Sequence, residues 1–128
     1  MALVIDLKPS ERIIIGTALI TNDSAHQTRL RIAGSAAILR EKDILRENEA
    51  DSPCKKIYLA IQLMYLADDP KTLHQMYFDM VKDIQGAAPS TALYFAKIND
   101  YLLNGQYYKA LKEARNLMKY EKELLTNV

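Results

Sequence analysis

Four cationic side chains in the first half of the chain have the residue type and spacing to bind phosphate. Arg29 and Arg31 alternate with apolar residues, which places both guanidinium groups on one face of an extended strand. Guanidinium groups offer paired donors to phosphate oxygens and base edges. The candidate RNA-binding residues, including two cations in the next charged segment, are Arg29, Arg31, Arg40 and Lys42. The alternative is a solvated face whose charges pair across strands, because residues 1–50 hold as many acidic as basic side chains.

The second half of the chain is rich in tyrosine and methionine, which suit adaptable protein interfaces. All the aromatic residues, eight tyrosines and two phenylalanines, lie beyond position 57. A tyrosine ring carries a polar hydroxyl, which suits a half-buried interface. Methionine side chains can line an adaptable apolar groove that accepts a partner helix. The candidate partner-binding residues are Met76, Tyr77, Met80 and Tyr107. The same stripe is equally typical of the core of a helical bundle.

Residues that could catalyse a reaction or hold a metal are sparse and scattered. The four glycines stand alone, so the chain has no glycine-rich loop for a nucleotide. His26 and His74 are far apart, and neither has a second ligand at metal-binding spacing. The single cysteine, Cys54, has no histidine near it in sequence to act as its base. We therefore predict no catalytic residues, no metal, no cofactor and a protein that is not an enzyme.

Composition and charge narrow the class of protein further. The 128 residues, 49% hydrophobic and 26% charged, have the ordinary mix of a globular chain of about one domain. A net charge of +1 gives no bulk attraction to nucleic acid or membrane, so such binding needs a local patch. No apolar run approaches the ~20 residues that cross a bilayer. With no export leader and one cysteine, we expect a cytoplasmic protein with neither a membrane nor DNA as a partner.

Short strands in the first half of the chain are expected to position the cations. Alternating apolar and polar residues, with isoleucine in place of aromatic rings, favour strands. One of them is expected to end or bulge at Gly16 and then to continue along the chain. The predicted extended segments are residues 3–7, 12–15, 17–21, 28–32 and 38–45.

From residue 52 the hydrophobic period becomes that of a helix. Ser52 before Pro53 is typical of a helix N-cap, and Asp69 before Pro70 is expected to cap a second helix in the same way. The four predicted helices begin near residues 53, 70, 90 and 106. The predicted fold class is therefore α+β, a small N-terminal antiparallel sheet followed by a four-helix C-terminal segment. We expect a β-rich module over residues 1–50 and a helical module over residues 51–128, docked as one compact unit.

Several blocks in order across almost the whole chain resemble the FlbT family of bacterial flagellum biosynthesis regulators. The blocks are LKPSERIIIG at residues 7–16, LREKDIL at 39–45, YLAIQLMYL at 58–66 and YKALKEAR at 108–115. The resemblance implies a cytoplasmic protein that binds the 5′ untranslated region of flagellin messenger RNA and alters its translation and stability, usually as a repressor. It also implies coupling to FlaF, the companion flagellin regulator, and to flagellin itself.

The first half of the chain is also similar, less strongly, to the carbon storage regulator CsrA. That small strand-exchanged dimer binds messenger RNA leaders through its edge strands. The similarity covers ERIIIG, LRI and LRE at residues 11–16, 30–32 and 39–41. An arginine in a short strand is a principal RNA contact in that family, and Arg40 stands at the matching position. The similarity leaves a homodimer open.

Two functions of different classes follow from these features. The favoured hypothesis is a post-transcriptional regulator that binds the flagellin messenger RNA leader through the cationic strand. The alternative is a protein-binding adaptor, or chaperone-like partner, whose helical tyrosine and methionine surface holds flagellin or FlaF.

Overall fold

Five short strands precede four α-helices in the computed structural model, which describes residues 2–126. The strands are β1 (Ala2–Leu7), β2 (Arg12–Ile15), β3 (Ala18–Thr21), β4 (Thr28–Ala33) and β5 (Ile38–Arg40). The helices are α1 (Pro53–Leu66), α2 (His74–Ala87), α3 (Ala92–Leu103) and α4 (Tyr107–Thr126). This order confirms the α+β class, with small antiparallel sheets before the helices.

The chain divides into two compact units, one that ends at Ile44 and one that begins at Leu45. The first unit holds the five strands and the second holds the four helices. The boundary after residue 50 and the docking of the two modules remain predictions from the sequence.

The first unit consists of two small antiparallel sheets around an aliphatic core. Strands β1 and β4 form one sheet, and the order β3-β2-β5 forms the other. Ile5 and Leu7 of the first sheet and Ile13 of the second are buried together. Further aliphatic side chains pack against them, namely Ile15, Leu30, Ile32 and Ile38. Because alternate residues of each strand supply this core, the intervening residues of β4 point outward.

Of the two predicted alternatives at Gly16, the strand ends there, and the bulge with continuation in the same direction is wrong. β2 and β3 instead form a hairpin, in which Ile15 pairs with Ala18 across a two-residue loop. Gly16 has a φ of +63° at the first loop position, which is the requirement of a type II′ turn. The twist of that turn matches the twist of paired strands, so the chain reverses rather than bulges.

The extended segment predicted over residues 38–45 is also too long. β5 ends at Arg40, and Glu41–Asp43 forms a short 3₁₀ helix. The Glu41 carboxylate accepts the backbone N–H of Arg12 at 3.1 Å. The Glu41 side chain thus supplies the acceptor for the Arg12 N–H that the backbone of a longer β5 would have supplied. The pairing of β2 with β5 therefore ends at Arg40.

Helix α1 begins as predicted and is largely buried. The Ser52 side chain accepts the backbone N–H of Lys55, which satisfies a donor that the first turn leaves unpaired. Gln62, a polar residue in an apolar run, is buried as well. Its side-chain amide donates to the Leu45 carbonyl at 2.9 Å and accepts the Leu45 N–H at 2.8 Å. Both polar groups of Gln62 are therefore paired, as burial requires.

The predicted cap at Asp69 is wrong. A 3₁₀ helix, Pro70–Leu73, lies between Asp69 and α2, and the Asp69 side chain makes no capping hydrogen bond. The Asp69 backbone carbonyl instead accepts the Thr72 hydroxyl at 2.9 Å. The tight first turn brings Thr72 to that carbonyl and leaves the carboxylate unused as a cap.

Helix α4 is the packing centre of the helical unit. It packs against α1 and α3, and α1 packs against α2 as well. Ala110 and Ala114 of α4 are fully buried, and such small residues let neighbouring helices approach closely. Phe95 and Ile98 of α3 and Ile61 of α1 fill the remaining space and are also fully buried.

Candidate functional site

The outward face of β4 presents two arginines side by side. Arg29 and Arg31 are exposed, while Leu30 and Ile32 between and beyond them are half-buried. The antiparallel register places Arg29 opposite Asp6 and Arg31 opposite Val4 of β1. The alternation in the sequence therefore predicted this face correctly.

The two arginines of β4 differ in their partners. The Arg29 Nε donates to the Asp6 carboxylate at 2.9 Å, and the Arg29 side chain is still 74% exposed. This hydrogen bond and charge lower the pKa of Asp6 below its ordinary value. The Arg31 side chain forms no hydrogen bond or ion pair with any residue of the described range 2–126. A phosphate would compete with Asp6 at Arg29, whereas it would meet an unoccupied guanidinium at Arg31.

Arg40 is committed to contacts inside the first unit. It pairs with Ile13 in the β2–β5 register, so its side chain leaves the sheet on the same side as that core residue. The Arg40 Nη2 donates to the Asp6 carbonyl at 2.9 Å and to the Glu11 carboxylate at 3.4 Å. Arg29 and Arg40 thus meet at Asp6, one at its carboxylate and one at its carbonyl. An RNA contact by Arg40 stays a prediction, and it would have to compete with these bonds.

Lys42 lies apart from the strand arginines. It belongs to the short helix Glu41–Asp43, and its side chain is exposed. Its neighbour Glu41 forms an ion pair with Arg12, whose Nε lies 3.0 Å from the carboxylate. Arg12, Arg29 and Arg40 thus have carboxylate partners, while Arg31 and Lys42 have none among the described residues.

The helical candidates fall into buried and accessible residues. Tyr77 is 0% exposed, and its hydroxyl donates to the Asn99 side chain at 2.7 Å. Burial raises the pKa of Tyr77 far above its ordinary value. The Tyr107 hydroxyl is hydrogen-bonded to the His74 Nε2 at 2.9 Å. Met76 is 43% exposed, and Met80 and Tyr107 are half-buried, so of the four candidates Tyr77 is the one that a partner cannot reach.

An apolar groove of about 490 Å³ lies in the helical unit and is lined by the start of α1, the second half of α2 and the end of α4. Met80 and Ile84 of α2 line one side, and Leu124 and Leu125 of α4 line the other. Leu125 is exposed. The groove was not foreseen, since only the packing of α4 on α1 brings these distant residues together. One indication of the groove was present in the sequence, namely the pair Leu124 and Leu125 after a polar stretch near the end of α4.

Cys54 is one of the residues that line this groove, and its side chain is buried. Burial, followed by the charge and hydrogen bond of Glu121, raises the pKa of Cys54 to about 12. The Glu121 carboxylate accepts the backbone N–H of Cys54 at 3.0 Å and the Ser52 hydroxyl at 2.5 Å. Glu121 of α4 thus caps the first turn of α1, where an anion is favoured. Across residues 2–126 there is no cluster of histidine, cysteine and carboxylate ligands for a metal ion.

Membrane insertion through a helix has no support among residues 2–126. Within that range, none of the helices combines the length and apolar character that a bilayer crossing demands.

Comparison with known proteins places the chain among flagellar proteins. The model of the family described as flagellar protein FlbT matches residues 3–125. A probable flagellum biosynthesis repressor protein FlbT 1 of Bradyrhizobium diazoefficiens is 50% identical over 97% of this chain and 85% of its own length. A probable flagellum biosynthesis repressor protein FlbT of Rhodopseudomonas palustris is 44% identical over 98% of this chain and 99% of its own.

A more distant relative has a similar name. The flagellum biosynthesis repressor protein FlbT of Caulobacter vibrioides is 28% identical over 100% of this chain and 92% of its own length. No solved structure matches the chain.

Proposed function

Because this chain belongs to the FlbT family of flagellar proteins, we propose that it regulates flagellum biosynthesis by binding the 5′ untranslated region of flagellin messenger RNA. Binding there alters translation and stability of the message, with repression as the usual result. Relatives named as repressors of flagellum biosynthesis support the regulatory part of this proposal. The role requires no catalytic step, and it places the protein in the cytoplasm with the message.

The observation that carries the RNA-binding part is the exposed arginine pair of β4. Arg29 and Arg31 point to one side of a paired strand, about two residues of strand rise or ~7 Å apart. That spacing is close to the distance between successive phosphates of a nucleic acid strand, so two neighbouring phosphates can be contacted together. Arg31 adds a guanidinium that has no carboxylate partner within residues 2–126. This unit has no aromatic ring on which bases could stack, so contact with the leader relies on arginine side chains and backbone groups.

The direct test is the affinity of a flagellin leader RNA for the wild type and for Arg31→Ala. We expect Arg31→Ala to weaken binding about three- to tenfold, the loss of one charge-assisted hydrogen-bond contact. Lys82→Ala serves as the matched control, because Lys82 is an exposed cation on α2, outside the strands. Equal affinity of all three proteins would contradict the proposed site. Absence of any leader binding at low ionic strength would contradict the RNA-binding function.

Arg40 and Lys42 need separate variants in the same assay. Arg40 makes internal hydrogen bonds, so Arg40→Ala affects both the stability of the strand unit and any contact with RNA. Lys42→Ala removes an exposed charge on a different element and tests whether RNA extends from β4 to that helix. We expect a smaller loss for Lys42→Ala than for Arg31→Ala, because Lys42 lies outside the β4 arginine pair.

A second candidate function has its own observation, the apolar groove lined by Met80, Ile84, Leu124 and Leu125. An adaptor would hold an apolar segment of flagellin or FlaF there. Leu125→Asp should reduce recovery of that partner from nuclease-treated cytosol, since it puts a charge beside the apolar lining. Leu103→Asp on α3 is the matched control, because Leu103 is equally exposed and does not line the groove. Equal recovery by both variants would contradict the adaptor function.

A further inference from the structure

Strand β3, one of the two outer strands of the β3-β2-β5 sheet, is an exposed edge. β3 is hydrogen-bonded to β2 on one side, and the order of the sheet gives it no strand on the other. All four of its residues, Ala18–Thr21, are exposed. Leu19 and Ile20 point to opposite faces of the sheet and are 57% and 36% exposed. An apolar strand that is open on both faces and along one edge is unusual for a chain that acts alone.

The hairpin register determines which backbone groups of β3 are unused. The two-residue loop makes Ile15 and Ala18 a hydrogen-bonded pair, and the pairing then alternates along the strands. At the far end, the Asn22 N–H donates to the Glu11 carbonyl at 2.9 Å. Ala18, Ile20 and Asn22 therefore face β2. The N–H and C=O groups of the two residues between them, Leu19 and Thr21, point to the open edge.

The side chains of β3 do nothing to protect this edge. Proteins discourage edge-to-edge pairing with charged residues or proline on outer strands. Each of the other four strands in residues 2–126 carries at least one charged residue, whereas β3 carries none and has no proline. The exposed strand β3 thus lacks the charged residue or proline that would discourage pairing with another strand.

We propose that two copies of this chain associate through β3, with the two β3 strands antiparallel in one continuous six-stranded sheet. A two-fold axis beside Ile20 would pair Leu19 of each copy with Thr21 of the other by backbone hydrogen bonds. Ile20 would meet Ile20 of the second copy as a close, non-hydrogen-bonded pair. β3 suits itself as a partner because no like charges meet, whereas a charged strand would place its charge against Leu19 or Ile20.

The size of the contact determines the strength of this dimer. A stable interface buries about 800 Å² on each partner, which a strand of four residues does not supply by itself. The dimer is therefore a reversible one whose population rises with protein concentration. It does not depend on the proposed RNA site, which lies on β4 of the other sheet.

Sedimentation equilibrium of the full chain without RNA tests the dimer. We expect a monomer–dimer equilibrium for the wild type and at least a tenfold weaker one, by about 1.4 kcal/mol or more, for Leu19→Lys. Leu19 is largely exposed, so the lysine leaves the fold intact and acts at the edge. Leu93→Lys on α3 is the matched control, because Leu93 is 79% exposed and far from the strands in sequence. A wild type that stays monomeric at high concentration, or a dimer that Leu19→Lys does not weaken, would overturn the proposal.

A cysteine at the proposed axis tests the register. Ile20→Cys should form a disulfide-linked dimer under mild oxidation, because close antiparallel pairs bring the two Cβ atoms within bonding reach. The native Cys54 is buried with a raised pKa, so the new thiol is the one that reacts. Thr28→Cys on β4 is the control and should remain monomeric. Cross-linking of the control but not of Ile20→Cys would overturn the antiparallel β3 contact.

Discussion

Three arginines of the strand unit have three different environments. Arg31 has a free guanidinium among the described residues, Arg29 shares an exposed ion pair with Asp6, and Arg40 binds a backbone carbonyl. Exposed pairs of the Arg29 kind contribute little to stability, so a phosphate can displace Asp6 at small cost. The carbonyl contact of Arg40 connects β5 to β1, two strands of different sheets. The residue type is the same throughout, but a ligand meets a free guanidinium at Arg31 and has to compete with a carboxylate at Arg29 and with a backbone carbonyl at Arg40.

Arg40→Ala should destabilise the strand unit. The change removes the donor to the Asp6 carbonyl and the cation beside Glu11, and half-buried acceptors that lose a charged donor cost about 1–3 kcal/mol. Urea unfolding followed by circular dichroism measures the loss. Arg31→Ala is the matched control and should change stability by less than about 0.5 kcal/mol, since Arg31 makes no such bonds within residues 2–126. Equal stability of the two variants would show that Arg40 does not hold the sheets together.

The sequence could predict Arg29 and Arg31 because strand alternation is a local property. Two residues in the same strand share a face whatever the strand packs against. The environment of Arg40 depends on the placement of β1 against β5, whose residues are more than thirty positions apart. The burial of Tyr77 likewise depends on contacts between segments that are distant in sequence. Its place in the helical stripe was clear, but whether the stripe faced the core or a partner depended on the packing of α2.

At the scale of elements, local signals determined where most strands and helices lie but not how each one ends. Pro53 after Ser52 correctly marked the start of α1, because the cap is satisfied within four residues. The reversal at Gly16 depends on β2 and β3 pairing with each other, which alternation does not reveal. β5 stops at Arg40 because Glu41 reaches Arg12 across the sheet. The ends of these strands depend on side chains that are distant in sequence. The residue pattern of a single segment therefore does not predict where the segment ends.

Glu121→Ala should loosen the start of α1 from α4. The carboxylate accepts the Cys54 N–H and the Ser52 hydroxyl, so its loss leaves a first-turn donor without an acceptor. Loss of a helix cap costs about 1–2 kcal/mol, which thermal or urea unfolding would detect. Glu123→Ala is the matched control, because Glu123 is an exposed carboxylate on the same helix. An equal loss for both variants would show that general helix charge, rather than the cap, is responsible.

At the scale of the whole molecule, near-neutral charge limits how RNA can be bound. Seventeen basic and sixteen acidic residues give a net charge of +1, so there is no broad positive field to attract a nucleic acid. Three strand-unit arginines, Arg12, Arg29 and Arg40, already have carboxylate partners, and the outward face of β4 presents Arg29 and Arg31 to solvent. The selectivity of such a protein has to come from a few contacts.

The salt dependence of leader binding should therefore be shallow. Each phosphate contact on a single strand contributes about −0.7 to the slope of log affinity against log salt concentration. Arg31 offers one phosphate contact without losing a partner, whereas Arg29 has to exchange the Asp6 carboxylate for a phosphate. We therefore expect a slope between about −0.7, for one contact, and about −1.4, for two. Fluorescence anisotropy of a labelled leader over a series of salt concentrations measures it, and Arg31→Ala should flatten it by about 0.7. A slope of about −4 or steeper, unchanged in Arg31→Ala, would instead locate binding on the lysines of the helical unit.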